Sequence, residues 1–252
     1  RNAFFDLTRG ELEAYFAPHR AAARENGIRV HQMHMPYPNY VPGAPQELND
    51  YLWKEVAPKS LAVCHFFDCR YMVVHGLKLA WCYGSEEAEW EKTKEFLEWI
   101  APMSKELGIT LCVENLYTSA GSRLAEGPCC NAVKAARRID EMNEKYGAQV
   151  LGFCFDTGHA NLVGIDFEHF LMTLGGRLKV LHIHDNDGVR DLHQIPFAYT
   201  RSRENLPSTD WEGFLRGLGG IRFDGVLSFE TAPVLDAFPE ELREEALRMI
   251  AG

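Results

Sequence analysis

The chain has 252 residues, 46% of them hydrophobic and 12% aromatic, enough to bury one large core, and a single α/β domain routinely uses this length. Its formal net charge of −10 argues against a nucleic-acid partner, because phosphate binding normally leaves a basic stripe, and the longest basic clusters here are Arg137-Arg138 and Arg201/Arg203. No apolar run approaches the roughly 20 residues that span a bilayer, and residues 1–6 lead straight into an amphipathic helix rather than a secretory leader, so the chain reads as soluble and cytoplasmic.

Seven cysteines, Cys64, Cys69, Cys82, Cys112, Cys129, Cys130 and Cys154, are odd in number and fall largely in apolar runs. They read as reduced thiols, and none has a zinc-finger spacing. The adjacent Cys129 and Cys130 could form a redox pair, but small buried hydrophobes or loop thiols are the preferred reading.

In chain order, a helix over 10–26 carries Leu12, Tyr15, Phe16 and Ala23 on one stripe and stops at Gly27. A strand over 28–35 and a Pro/Gly-rich loop over 36–45 follow, then a strand over 71–79. The helix over 86–107 carries Trp90, Phe96, Leu97, Ile100, Met103 and Leu107 and stops at Gly108. Next come a strand over 110–116, a helix over 131–146 ending at Gly147, a strand over 150–157, a helix over 167–174 ending at Gly175-Gly176, and a strand over 178–185. A helix carrying Trp211, Phe214, Leu215 and Leu218 is capped by Thr209 or Asp210, a strand spans 225–230, and Pro239 opens a last helix over 240–250. This alternation is the pattern of βα units on a parallel sheet. It predicts one (β/α)8 TIM-barrel domain over 1–252, with the first two βα units absent, since six strands do not close an eight-stranded barrel.

In such a barrel, ligands bind at the carboxyl ends of the strands. The six predicted strands end in His34, His75, Glu114, Asp156, His184 and Glu230. A charge beside an apolar run is costly unless paired or metal-bound. Taken singly, His34 and His75 read as hydrogen-bonded histidines, Glu114 as a salt-bridge partner, and Asp156 as a helix N-cap with His159 on the surface. Six strand ends converging on one mouth read as a site. In His182-Ile183-His184 both imidazoles share the inward face; His184, nearer the rim, is the expected ligand, and His182, in the layer below, supports a ligand or packs. Cys112, Cys154 and Ser228 line that inner layer.

These residues resemble the xylose isomerase-like barrels, a superfamily of sugar and sugar-phosphate isomerases and epimerases that also contains endonuclease IV. The resemblance runs from Ile28 to Glu230 and is most specific at Val113-Glu114-Asn115, Asp156-Thr157-Gly158-His159, His184-Asp185-Asn186-Asp187 and Ser228-Phe229-Glu230. It implies a divalent metal (Mn, Mg, Co or Zn) on Glu114, Asp156, His184 and Glu230. It further implies that Glu114 and Glu230 act as an acid/base pair moving a proton through an enediolate, and that His159, Arg190, His34 and His75 contact a carbohydrate substrate.

Two departures matter. The epimerases usually carry a further glutamate where this chain has Ala120. In addition, His34, His75, Glu114, Asp156, His159, His184, Asp191, His193 and Glu230 match, type for type, the trinuclear zinc ligands of endonuclease IV, which implies phosphodiester hydrolysis as the alternative, with His34, His75, His159, Asp191 and His193 as additional metal ligands. The short segment between His184 and Asp191 and the lack of basic clusters favour the isomerase or epimerase. No phosphate-binding loop is present; Gly217-Leu218-Gly219-Gly220 reads as a helix end. Trp53, Tyr37, Phe197 and Tyr199 read either as sugar-stacking rings or as core or homo-oligomer contacts.

Overall fold

In the computed structural model, residues 3–79, 86–199 and 209–251 are described; Cys82, Arg201 and Arg203 lie outside them. Seven strands follow one another there: β1 (Gln32–His34), β2 (Tyr71–Val74), β3 (Thr110–Glu114), β4 (Tyr117–Ala120), β5 (Arg123–Glu126), β6 (Leu151–Asp156) and β7 (Leu178–His182). The contacts divide the chain into one unit of Arg1–Glu114 with Arg137–Phe153 and a second of Asn115–Ala136 with Cys154–Gly252.

In the first unit β1, β2 and β3 are parallel neighbours, with Gln32 beside Tyr71 and Tyr71 beside Thr110. The helix Arg9–Glu25 begins where Thr8 and Glu11 close a capping box, and Glu86–Glu106 buries Trp90, Phe96, Leu97 and Ile100, the predicted stripe. The helical run over 46–66 (Gln46–Tyr51, a π turn at Leu52–Val56, then Ala57–Phe66) was not predicted. Its last helix buries Ala57, Ser60, Leu61, Ala62 and Cys64 around much of its circumference, which removes the two-faced pattern that betrays a helix in a sequence.

Strands are shorter than the apolar runs that announce them, because side chains take over from the ladder. Beyond Val74, Leu77 N–H donates to Thr93 Oγ1 (2.8 Å) and Leu79 N–H to Glu89 Oε1 (3.0 Å). The second unit shows the same device. Asn115 pairs its amide with the backbone of Asp156 in both directions, at 2.9 Å each, and the Thr157 hydroxyl accepts from His184 N–H (3.0 Å) and donates to His184 C=O (2.7 Å). The predicted strand over 150–157 therefore ends at Asp156, and that over 178–185 at His182.

The predicted strand over 225–230 does not form. Only the parallel bridge between Ile183 and Phe229 remains, closed by Ile183 N–H to Ser228 C=O (2.8 Å) and Glu230 N–H to Ile183 C=O (3.1 Å); Val226, Leu227 and Phe229 are exposed, so no apolar face drives pairing there. A hairpin absent from the prediction joins β4 to β5, with Tyr117 opposite Glu126 and Ala120 opposite Arg123. Its two-residue turn places Gly121 at φ 66°, a conformation that glycine adopts without a Cβ clash.

Phe155, Phe167, Phe170 and Phe214 form the aromatic core of the second unit. The predicted helix over 167–174 appears as Phe167–Leu174, capped by Asp166, and Asp210 caps Trp211–Gly220. Asp156 caps Thr157–Val163, accepting from His159 N–H at 2.6 Å. At Gly158 the chain passes so close to His184 that a Cβ would overlap the imidazole ring. The Gly158→Ala variant should therefore lose about 1–3 kcal/mol of stability, the usual cost of overpacking, measured as a lower urea midpoint with unchanged slope.

Candidate metal centre

Both units present imidazoles and carboxylates at the ends of their strands. In the first, His34 Nε2, His75 Nε2 and Glu114 Oε2 form a triangle with sides of 3.1, 3.2 and 3.5 Å. His34 Nδ1 donates to the Met35 carbonyl (2.8 Å), so the neutral ring turns the lone pair of Nε2 toward the other two. Atoms bound about 2.1 Å from one ion stand roughly 3.0–3.4 Å apart at octahedral to tetrahedral angles, which is the scale of this triangle. The Tyr37 ring stacks on His75, centroids 4.4 Å apart.

In the second unit Asp156 is fully buried, and both its oxygens face His184 Nε2, at 3.0 and 3.1 Å. His182 Nδ1 lies 3.3 Å from Glu230 Oε2 and 3.9 Å from Asp156 Oδ2, while His184, His193 and Glu230 form a further group whose ligand atoms lie within 4.8 Å of one another. The His193 ring lies flat against His184, centroids 3.9 Å apart and 12° from parallel.

Asp191 receives two imidazoles: His159 Nε2 and His193 Nε2 each lie 3.3 Å from its Oδ2. Each of those rings spends its Nδ1–H on a backbone carbonyl, His159 on Asn115 (3.1 Å) and His193 on Glu230 (2.9 Å). In their neutral forms both would aim a lone pair at a carboxylate, an arrangement that needs a proton or a cation between them. The acid–base balance reflects this. Burial opposes the charge on His193, but the Asp191 hydrogen bond and charge outweigh it and push the imidazole up to about 9. Burial would likewise raise the Asp191 carboxyl, yet the two imidazoles hold it well below the usual carboxylate range.

His184 Nδ1 and Asp191 Oδ1 are buried without a hydrogen-bond partner, which normally costs stability unless something else satisfies them. Orphaned acceptors and a donor set of imidazoles and carboxylates fit a divalent cation such as Zn, Mn or Co.

The predicted site residues thus fall into the His34–His75–Glu114 triangle and a second-unit cluster of Asp156, His159, His184, Asp191, His193 and Glu230. Sequence reasoning placed His182 in the layer below His184, supporting a ligand or packing; it stands beside Asp156 and Glu230, close enough to be a ligand candidate itself. Arg190 is 71% exposed and grips Asp187 with Nε and Nη2, at 3.1 and 2.8 Å. Trp53 packs on Phe96 and donates to Asn39 C=O, a core contact. Phe197 rests on Trp211, and Tyr199 is partly exposed. The six described cysteines are buried, and burial pushes the Cys130 thiol up to about 12, which leaves it unreactive.

Among curated proteins, the uncharacterized protein y4fM of Sinorhizobium fredii is 28% identical over 120 residues, 48% of this chain and 35% of that protein, so the match spans about a third of that relative's length. The uncharacterized protein MJ1311 of Methanocaldococcus jannaschii is 25% identical over 222 residues, 86% of this chain and 70% of that protein. Similar solved structures include a D-tagatose 3-epimerase-like protein (TM-score 0.64, 19% identity, 94% of this chain and 83% of that one) and a D-psicose 3-epimerase in the presence of D-fructose (TM-score 0.66, 16% identity, 99% and 84%). A third is the 3-keto-D-glucoside 4-epimerase of E. coli (TM-score 0.62, 13% identity, 95% and 85%). These likenesses describe the fold. The family model described as Xylose isomerase-like TIM barrel matches residues 9–251, and the chain belongs to that family.

Proposed function

We propose that this protein is a divalent-metal-dependent sugar isomerase or epimerase. The observation that carries the reading is the cluster around the buried Asp156: both its oxygens face His184 Nε2 at 3.0 and 3.1 Å, His184 falls with His193 and Glu230 in a group of ligand atoms within 4.8 Å of one another, and His184 Nδ1 and Asp191 Oδ1 are buried without a hydrogen-bond partner. A divalent cation suits such an array. The sugar-epimerase names of the similar structures agree with it.

The proposed ligands are Glu114, Asp156, His184 and Glu230. Barrel families gather strand carboxyl ends at one rim, and this supports grouping Glu114 with the other three. His182 competes with His184 for the imidazole position, being 3.3 Å from Glu230. A bound divalent ion would act as a Lewis acid that polarises a substrate carbonyl and acidifies the neighbouring C–H. The proton would then be removed by one of Glu114 and Glu230 and returned by the other, each carboxylate serving one face of the substrate carbon. Glu230 is the more accessible, with 35% of its side chain exposed against 1% for Glu114. Tyr37, stacked on His75, offers an apolar face to a sugar ring.

A second reading rests on the number of acceptors. The His34–His75–Glu114 triangle and the His159–Asp191–His193 set lie beyond what one ion needs, and they suit a multinuclear zinc site that activates water against a phosphodiester.

Metal content decides first. Asp156→Ala and His184→Ala should each lose tight Mn or Zn binding, read by elemental analysis after dialysis, whereas His182→Ala should retain it; the reverse order for the two histidines would give His182 the ligand role. One ion per chain supports the isomerase, and three zinc ions with cleavage of abasic-site DNA would replace it with the hydrolase.

Chemistry decides second. Incubation with the true ketose or aldose in D2O should place deuterium on the carbon next to the carbonyl, seen by NMR. Glu230→Gln should abolish that exchange while the substrate still binds. Absence of exchange with every sugar tested would remove the two-carboxylate mechanism.

A further inference from the structure

Asp185 follows the proposed ligand His184, is fully buried, and takes no part in the chemistry above. Among the described residues, its hydrogen bonds run to the segment that carries Asp191 and His193 and to Thr209. The carboxylate accepts from Asn186 N–H (2.9 Å) through Oδ1 and from Tyr199 N–H (2.8 Å) through Oδ2, and Oδ1 also accepts from the Thr209 hydroxyl (2.6 Å). Its backbone forms an antiparallel bridge with Gln194, N–H to C=O at 2.8 and 3.0 Å. One residue thus fastens residues 186–199 at the start, at Gln194 and at the far end.

Such fastening has something to hold. His193 and Phe197 both sit at positive φ, 46° and 69°, a region that disfavours side-chain-bearing residues. Phe197 lies between the two points where Asp185 grips the chain, and His193 directly precedes Gln194. Released from Asp185, the segment relaxes toward negative φ, and the His193 ring leaves its parallel contact with His184 and its 3.3 Å approach to Asp191. Asn186 extends the clamp: its amide donates to Gly158 C=O (2.9 Å), and its Oδ1 accepts from Asn161 Nδ2 (2.8 Å).

We propose that Asp185 is a positioning residue that sets the Asp191–His193 arm of the metal cluster by holding residues 186–199 in a strained loop. The metal consequence rests on the function proposed above; the loop consequence does not. Asp185→Asn keeps the side-chain volume but puts an NH2 where one backbone N–H needs an acceptor, and Asp185→Ala removes all three carboxylate bonds. Backbone amide hydrogen exchange by mass spectrometry, on metal-free protein, should show faster exchange over 186–199 in both variants, greater for Ala, with β6 and β7 unchanged. Titration with Co2+ alone should show about 10-fold weaker binding, the lower end of what residues orienting metal ligands contribute, and Thr209→Ala should give a smaller shift in the same direction. Unchanged exchange over 186–199 overturns the proposal, as does faster exchange confined to that segment with unaltered Co2+ affinity. Uniformly faster exchange across the chain also overturns it, marking Asp185 as a general stability residue. If the unsubstituted protein binds no Co2+, the metal reading fails and the exchange pattern alone decides whether Asp185 holds the loop.

Discussion

A carboxylate with no exposure to solvent must be surrounded by donors, and in the second unit that requirement falls on Asp156. Its Oδ1 closes the N-terminus of the helix Thr157–Val163 through His159 N–H, both oxygens face His184 Nε2, and its backbone is paired with the Asn115 amide. The remaining features follow from accommodating that charge. His184 can approach only because residue 158 lacks a side chain. The Thr157 hydroxyl satisfies the backbone of His184 where the ladder has ended, and the same turn delivers His159 to Asp191. Burial strengthens each of these contacts and makes each omission expensive.

Polar side chains standing in for strand partners recur through both units. Thr93 and Glu89 serve the chain after β2, Asn115 serves β6, and Thr157 the residues after β7. The arrangement allows apolar strands to end abruptly in ionisable residues without leaving backbone groups unpaired. It also explains why strand lengths were overestimated: hydrophobicity continues past the last ladder bond, and the change of partner leaves no periodic trace.

The sequence made some elements plain. The helix Phe167–Leu174 was legible to its ends because Asp166 and Gly175 punctuate an apolar stripe, and the Glu86–Glu106 stripe emerged as the buried face. Ionisable residues closing apolar runs pointed to His34, His75, Glu114, Asp156, His184 and Glu230, all of which now lie in one or other of the two clusters. Alternation specifies a strand face and not a depth, so the two imidazoles of His182 and His184 on one face are not ranked by spacing alone. The hairpin of β4 and β5 was missed although Gly121-Ser122 is a recognisable two-residue turn; its flanks are too short and too polar to read as strands. Tertiary facts, such as the His184–His193 stacking and the hold of Asp185 on Tyr199, have no local signature.

The segment bearing Glu230 meets Ile183 through a bridge of two hydrogen bonds and accepts one more from His193, with exposed Val226, Leu227 and Phe229 around it. Segments with so few buried contacts open at a small fraction of the global unfolding free energy. Asp156 and His184, by contrast, belong to the most deeply buried part of the second unit. The two kinds of carboxylate therefore differ in what holds them: Asp156 is fixed by the buried interior of the second unit, whereas Glu230 stands on a segment whose local opening would cost far less than unfolding.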